Sequence, residues 1–457
     1  MTNDTAVVIL AAGQGTRMKS KIAKVLHRAG GKSLVEHAIA TARGVAPAER
    51  IFVVVGHQAE AVAAVAQAAG VGSFEQKPQL GTGHAVMCGE SLLAGLGGLL
   101  LVVNGDCPMI RTETLQSLIA LYRETGSKAA MITTDLPDPT GYGRIVRMAT
   151  GDVQAIVEHK AATPEQRSIP EINAGFYCFD AGTFWKHVHE IRTDNPTGEY
   201  YLTDMIEILI RAGHRVTALK IDDSSELPGI NNKVELAAAD RMLRERKVRE
   251  LMLDGVTVIR PDTVTIDADV VIGMDTVIEP FVQITGATAI GDNCHIGASS
   301  IIHDSKIGDS AQIQPFSLIS GCTLDAETHV GPFARLRMGA HLHEGAHVGN
   351  FVELKNTDFG PGSKAMHLAY LGDSAIGSKV NVGAGTITCN YDGRKKHRTT
   401  IGNNAFVGSN STLVAPVTIH DKAYIAAGSV ITQDVPENSL ALGRSRQVVK
   451  EGWTPKR

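Results

Sequence analysis

Long apolar runs are missing from this 457-residue chain; no stretch approaches the ~18 residues that a transmembrane helix needs. Charge of one sign is missing too. The formal net charge is −4, so no global field gathers nucleic acid or anionic membrane. Cysteine is scarce: Cys88, Cys107, Cys178, Cys294, Cys322 and Cys389 stand far apart, without a C-x-x-C pair. That excludes a disulfide framework or zinc finger and fits reduced thiols in a cytosol. The opening Met1-Thr2-Asn3-Asp4 lacks the basic region of a secretion signal. A cytoplasmic, soluble protein is expected, without nucleic acid or membrane as partner.

What is present points to several packed domains. Hydrophobic residues make up 43% and charged residues 20%, and the length exceeds a usual domain of roughly 100–200 residues. Glycine is abundant at 47 residues but lacks collagen's three-residue period, so it must serve turns or repeats.

The first half alternates strand and helix patterns. Ala6–Ala11 is a continuous apolar run, as in a strand buried on both faces. Ser33 can cap a helix through about Arg43, before a strand at Ile51–Val55. A helix near Ala59–Ala69, a strand at Leu99–Val103 and a helix near Thr112–Glu124 follow. Such alternation predicts a mainly parallel α/β sheet, with ligands at the carboxyl ends of its strands.

The second half keeps another rhythm. Aliphatic residues recur every six positions at Ile266, Ile272, Ile278, Ile284, Ile290, Ile296 and Ile302. After one-residue slips the series resumes at Ile307, Ile313 and Ile319, then at Leu324, Val330, Leu336, Leu342, Val348 and Leu354. It closes with Ile401, Val407, Leu413, Ile419, Ile425 and Ile431. A sustained period of six fits a hexapeptide β-helix, which is left-handed, with the aliphatic residue turned inward. Thirteen of the 23 glycines after Asp254 directly follow Ile, Val, Leu or Phe, so glycine is expected to turn the corners. The pattern predicts an insertion around Phe359–Leu371 and an excursion over Thr388–Thr400. Val234–Asp254, free of Gly and Pro, reads as a connecting helix ended by Gly255.

Two loops leave strands at the predicted sheet edge. Leu10-Ala11-Ala12-Gly13-Gln14-Gly15-Thr16-Arg17-Met18 is a glycine-rich turn that can present N–H groups to phosphate. Met18 replaces the third glycine of a dinucleotide fingerprint, and Glu36 falls within a helix rather than at a strand end. Leu26 likewise breaks a Walker A reading of Gly31-Lys32-Ser33. Arg17 and Lys24 instead suggest cations for a triphosphate. Asn104-Gly105-Asp106-Cys107-Pro108 brings a carboxylate to the same edge, and one carboxylate plus phosphate oxygens is how Mg²⁺ is usually held.

The loop resembles nucleotidyltransferases that make nucleotide sugars, whose signature is L-x-x-G-x-G-T-R-M followed by P-K-x-L. The resemblance continues through Gln76, Leu80–Ala85, Gly141-Tyr142-Gly143-Arg144, Ile156-Val157-Glu158-His159-Lys160 and Glu171–Gly175. Glu199–Asp204 and Gly229-Ile230-Asn231-Asn232 extend it. With the hexapeptide half, the chain resembles along almost its whole length the family of bifunctional N-acetylglucosamine-1-phosphate uridylyltransferase/glucosamine-1-phosphate acetyltransferases. That implies a Rossmann-like α/β nucleotidyltransferase domain over 1–233 and a helical linker over 234–254. A left-handed parallel β-helix acetyltransferase domain with a tail would occupy 255–457.

The resemblance implies acetyl transfer from acetyl-CoA to glucosamine-1-phosphate, then uridylyl transfer from UTP, with Mg²⁺, supplying peptidoglycan and lipopolysaccharide precursors. Asp106 and Asn231 would hold the metal, with Arg17 and Lys24 on the phosphates. Leu10, Ala11, Ala12, Gly13, Asn104 and Gly105 would line the nucleotide, and Gln76, Gly81 and Thr82 would read uracil. Gly143, Glu158 and Asn173 would meet the sugar. Ala23 departs from the family's proline before Lys24, and Asn104 from its frequent tyrosine.

In the second half His367 would be the general base, which must titrate near neutrality to free an amine. Arg337, Lys355, Tyr370 and Asn381 would hold the sugar phosphate. Ala384, Asn390, Tyr391, Ser409, Ala427 and Arg444 would contact acetyl-CoA. His341, His343 and His347 fall on repeat turns without a clear metal-ligand set. The family further implies a homotrimer through the β-helix, with acetyl sites between copies. Two rival readings are a nucleotidyltransferase with a purely structural or allosteric β-helix, and a nucleotide sensor on a repeat scaffold.

Overall fold

The computed structural model describes residues 4–159, 162–195 and 197–454; Lys160, quoted above, lies outside them. The chain forms two compact units, Met1–Leu243 and Arg244–Arg457.

The first unit is built on a nine-stranded sheet. Its strands are β1 (Thr5–Leu10), β2 (Ile51–Val55), β3 (Gly72–Glu75), β4 (Leu99–Asn104), β5 (Ala129–Asp135), β6 (Arg144–Arg147), β7 (Val153–Val157), β8 (Glu171–Asp180) and β9 (Val216–Lys220). The order is β9-β5-β8-β4-β1-β2-β3, with β6 and β7 joined as a hairpin beside β8. Pairing is parallel except that β8 runs against β4, β5 and β6, and that β6 runs against β7. β1 and β4 sit centrally because Val7, Val8, Ile9, Leu101 and Val102 are apolar toward both faces and wholly buried. Their register sets Leu10 beside Asn104, so the loops that follow open from one edge. Glu36 accepts from the Ser33 backbone N–H at 2.6 Å in a capping box that starts the helix Leu34–Arg43.

A 21-residue helix, Lys233–Leu253, runs from the first unit into the second. Asn232 Oδ1 caps its start, accepting from the N–H groups of Val234 and Glu235 at 2.9 and 3.0 Å. At its end Gly255 (φ 97°) lets the Val256 N–H return to the Leu251 carbonyl at 3.0 Å, the hydrogen bond of a Schellman cap. Ala239 and Leu243 pack with Ala29, Leu34 and Ile230 in the first unit, while Val248 and Leu251 join the core of the second.

The second unit winds short strands into three parallel sheets of eleven, ten and nine strands, each pairing with the strand one coil away. The inward aliphatic series is buried throughout; Ile284, Ile302, Ile319, Leu336 and Leu354 have no exposure. The expected insertion at Phe359–Leu371 does not exist. Phe359, Ala365 and Leu371 are fully buried, and their strands pair in register on both sides. Small Ala365 and large Phe359 share this layer, so the coil stays filled where the aliphatic pattern lapses. The second excursion is present: residues 390–398 leave the coil between Ile387–Cys389 and Thr399–Ile401, closed by a Tyr391–Lys396 bridge.

Glycine turns some corners as expected: Gly286, Gly321, Gly345, Gly362, Gly385 and Gly428 take left-handed φ. Other corners of left-handed φ use Asp275, Asn293, Ser310, Glu327 and Lys379. Glycines that follow inward residues permit coil-on-coil contact instead: a Cβ on Gly349 would lie 2.0 Å from the Met366 carbonyl oxygen. On Gly408 it would lie 2.5 Å from the Ala427 nitrogen. The backbone of the next coil cannot retreat without breaking its ladder. Gly349→Ala is therefore expected to destabilise this unit by about 1–3 kcal/mol, read as a lowered midpoint in thermal unfolding; an unchanged midpoint would refute the close-contact role.

Candidate active sites

At the carboxyl edge of β1 and β4 a cavity of about 610 Å³ is lined by Leu10–Arg17, Lys24, Gln76, Gly81, Thr82, Asn104, Asp106 and Asn231. Gly15 takes φ 62°, and a Cβ there would fall 2.5 Å from Lys24 Cβ, so the loop closes directly on Lys24. The Lys24 ammonium pairs with Asp106 and donates to Asn231 Oδ1 at 2.9 Å, while Arg17 donates to the same oxygen at 2.8 Å. Two oxygen donors thus converge on one cation-sized point. Ala23 keeps φ −54°, which proline would impose, and spends its N–H on Gln58 Oε1 at 2.9 Å. Lys24 is therefore presented without the family's proline. Gln76 is buried, and its carboxamide nitrogen donates to the Gly81 carbonyl at 2.9 Å, leaving its oxygen for a ligand.

Gly143, Glu158 and Asn173 do not line this cavity. They gather beside it: the Asn173 N–H donates to the Gly143 carbonyl at 2.9 Å, and a Cβ on Gly143 would meet Glu158 Oε1 at 3.5 Å. Asn104, in the family's tyrosine place, bridges the two groups by donating to the Gly175 carbonyl at 3.2 Å, while the Gly175 N–H donates to Asn173 Oδ1. Burial raises the Glu158 carboxyl above its ordinary value. Burial also lifts Asp204 to about 6, helped by the charges of Glu207, Glu158 and Asp194. Glu199 and Tyr201 line the cavity as well. Sequence reading gave them no role, although both stand in the Glu199–Asp204 motif.

In the second unit one corner carries a column. Asn350 pairs with His367, and the registers Ala365↔Val382, Val382↔Val407 and Val407↔Ile425, extended by two residues, continue the line through Ala384, Ser409 and Ala427. Hydrogen bonds from Asn410 N–H to the Ala384 carbonyl and from Gly428 N–H to the Ser409 carbonyl hold it, and Arg444 reaches to Gly428. His367 Nδ1 is 2.7 Å from Asn350 Oδ1, which leaves Nε2 free to accept a proton. Asn350 was not foreseen.

A second group stands on the adjoining sheet, where Arg337, Lys355 and Gly372 are successive partners. Arg337 Nε donates to Glu353 at 2.7 Å, and Lys355 holds Asp373 at 2.9 Å. Asn390 reaches both Asp373 (2.5 Å) and the Tyr370 hydroxyl (3.4 Å). Burial works to raise the Asp373 carboxyl, but hydrogen bonds from Asn356, Lys355 and Asn390 and the Lys355 charge outweigh it and lower it. Tyr391 turns to its own loop, with Lys396 over its ring, and Asn381 stands exposed one sheet away; neither joins this group. Asp373 and Glu353 lie about one coil from their cations, a spacing that would have revealed them.

Among known families, residues 7–167 match the MobA-like NTP transferase domain. Residues 269–304 and 398–433 match the bacterial transferase hexapeptide (six repeats), and 287–326 the hexapeptide repeat of succinyl-transferase. The bifunctional protein GlmU of Solibacter usitatus is 57% identical over 457 residues, covering 100% of this chain and 98% of that protein. Its counterpart in Koribacter versatilis is 48% identical over 455 residues (99% and 97%), and that of Acetivibrio thermocellus 46% over 450 (98% and 97%).

Asp204, outside the cavity lining but within the field of Glu158, provides a pH test in the first unit. Folded, it keeps its proton up to about 6, against an ordinary 3.8. Between those values the folded chain binds more protons than the unfolded one, so this contribution to stability falls as pH rises through that window. Asp204→Asn should flatten that part of the melting-temperature profile and raise stability at neutral pH. An equally steep fall in the variant would contradict the assignment.

Proposed function

This chain belongs to the GlmU family of bifunctional enzymes, and from that membership we propose the assignment of its residues to two reactions. It is an enzyme of UDP-N-acetylglucosamine synthesis, with uridylyltransferase and acetyltransferase activities. Its substrates are small molecules, nucleotide sugars among them. No helix among the described residues is long and apolar enough to cross a membrane. In the proposed division, 1–233 carries uridylyl transfer, 234–254 links, and 255–457 carries acetyl transfer.

In uridylyl transfer a phosphate oxygen of N-acetylglucosamine-1-phosphate attacks the α-phosphorus of UTP, and pyrophosphate leaves. Rate then comes from positioning and charge neutralisation. Asp106 and Asn231 are the residues to hold Mg²⁺, because their oxygens already converge on the Lys24 ammonium. Such a sparse oxygen set suits an ion that keeps several waters. When bound, the ion withdraws charge from phosphate oxygens. Lys24 and Arg17, both held on Asn231, then serve the triphosphate. Gln76, fixed by Gly81, offers its carboxamide oxygen to the uracil N–H, and the loop Leu10–Gly13 and Thr82 close on the nucleoside. Glu158, Asn173 and Gly143 receive the sugar.

In acetyl transfer His367 Nε2 takes a proton as the glucosamine amine attacks the thioester, with Asn350 fixing the ring. Arg337 and Lys355 exchange Glu353 and Asp373 for the substrate phosphate, and Tyr370 and Asn381 orient the sugar. The column Ala384, Ser409, Ala427 and Arg444, with Asn390 and Tyr391, lies along acetyl-CoA. The observation that supports this reading is that column, in which His367 stands in line with small residues over which a long thin ligand can lie. The same corner exposes a ladder of stacked rings, Phe316 on Phe333 at 5.0 Å and Phe333 on Phe351 at 5.4 Å. These rings are about half exposed, and burying them between copies supports a homotrimer with His367 at the seam.

His367→Ala should abolish release of free thiol from acetyl-CoA yet leave pyrophosphate release with N-acetylglucosamine-1-phosphate intact. Asp106→Ala should do the reverse. Loss of both activities from either folded variant would sink the two-site assignment. In sedimentation, the protein should run as three copies and Phe333→Asp as fewer; a monomeric parent would exclude the trimer.

A further inference from the structure

One cluster of side chains serves neither reaction. Thr323, His341 and Asp358 are register partners on three successive coils, and Asp325 follows Thr323 by two residues. His341 and His343 flank the inward Leu342, so both imidazoles project from the same side of one strand. Asp325 Oδ1 lies 2.9 Å from His341 Nε2, and its Oδ2 lies 3.2 Å from His343 Nδ1. One ligand atom from each of the three residues falls within 4.8 Å of the others. On the far side of its ring, His343 Nε2 meets Asp358 Oδ1 at 2.7 Å.

We propose that Asp325, His341 and His343 form a second, nitrogen-rich metal site that takes a borderline divalent cation such as Zn²⁺. Two imidazoles and one carboxylate with open positions are the donor set for such ions, whereas Mg²⁺ prefers oxygen throughout. The three side chains are about one-third exposed (38, 36 and 32%), so water can complete the shell. The Asp358 carboxylate on the second nitrogen of His343 is the outer partner that a ligating histidine normally has, fixing which nitrogen faces the metal. The imidazole centroids are 4.0 Å apart, close enough for both rings to turn a nitrogen to one ion. Asp325 belongs to one coil and the histidines to the next, so the ion would pin two coils together and stabilise the folded chain by mass action. The ligand set was invisible in sequence because Asp325 lies a coil away from His341, 16 residues earlier.

The test uses the untagged full-length protein, stripped with chelator and titrated with Co²⁺ alone. Nitrogen-ligated Co²⁺ of low coordination number absorbs visible light strongly, and an all-oxygen octahedral ion weakly. The expected result is one intense equivalent per chain, displaced by Zn²⁺. It should persist in Asp106→Ala and vanish in the His341→Ala/His343→Ala double variant, whose circular dichroism should match the parent. Asp358→Asn, which leaves all three ligands in place, should weaken Co²⁺ binding by about 10–100-fold. No intense absorption in the parent, or the same absorption in a folded double variant, would overturn the site. Undiminished affinity in Asp358→Asn would overturn the part given to the outer carboxylate.

Discussion

Parallel pairing in register is the constraint on which the phosphate edge of the first proposed site and the whole of the second rest, because it sends the loops after β1 and β4, and equivalent positions of successive coils, to one side. In the first unit it sets Leu10 beside Asn104, and so brings the phosphate loop and the Asp106 loop to one edge although some ninety residues separate them. In the second unit it stacks residues one coil apart into columns, as with Asn350 and His367 or Arg337 and Lys355. No side chain needs to reach far. A register slip of one residue would turn Ala365 out of the core and carry His367 out of line with Asn350, dismantling the core as well as the proposed site. The glycines that let coils approach, Gly349 and Gly408 among them, protect the register on which the proposed second site depends.

Both sites also keep their cations under tension between partners. Lys24 is held by Asp106 and Asn231, Lys355 by Asp373, and Arg337 by Glu353. Removing such a cation from water is costly unless a partner compensates, and these carboxylates compensate; in the proposed reactions a phosphate would take their place. The substrate then meets side chains already placed, which lowers the ordering entropy paid on binding. The two sites solve one electrostatic problem with unrelated folds.

Much of this was legible in the sequence. The buried run of β1, the capped helix after Ser33 and the six-residue period each report a local physical requirement that few alternatives satisfy. Where reading failed, the missing knowledge was spatial. Phe359–Leu371 looked like an interruption because Ala365 is not a large aliphatic residue, yet volume is conserved across a layer rather than at a position. Glycine was read only as a corner residue; Gly286 and Gly362 do turn corners, but Asp, Asn and Lys turn others, and glycines after inward residues admit the next coil instead. Asn350, Glu353, Asp373 and Asp325 escaped notice for one reason: their partners are a coil away. Once the usual coil length of 17 or 18 residues is known, each becomes an expectation from sequence.

The central claim is that the chain serves two separable sites, one in each of its compact units. The most direct measurement mixes equal amounts of the Asp106→Ala and His367→Ala proteins with glucosamine-1-phosphate, acetyl-CoA, UTP and Mg²⁺, and follows UDP-N-acetylglucosamine. The account predicts synthesis by the mixture after a lag, as intermediate passes through solution, and none by either protein alone. A mixture that stays inactive while each protein retains its single reaction would contradict it.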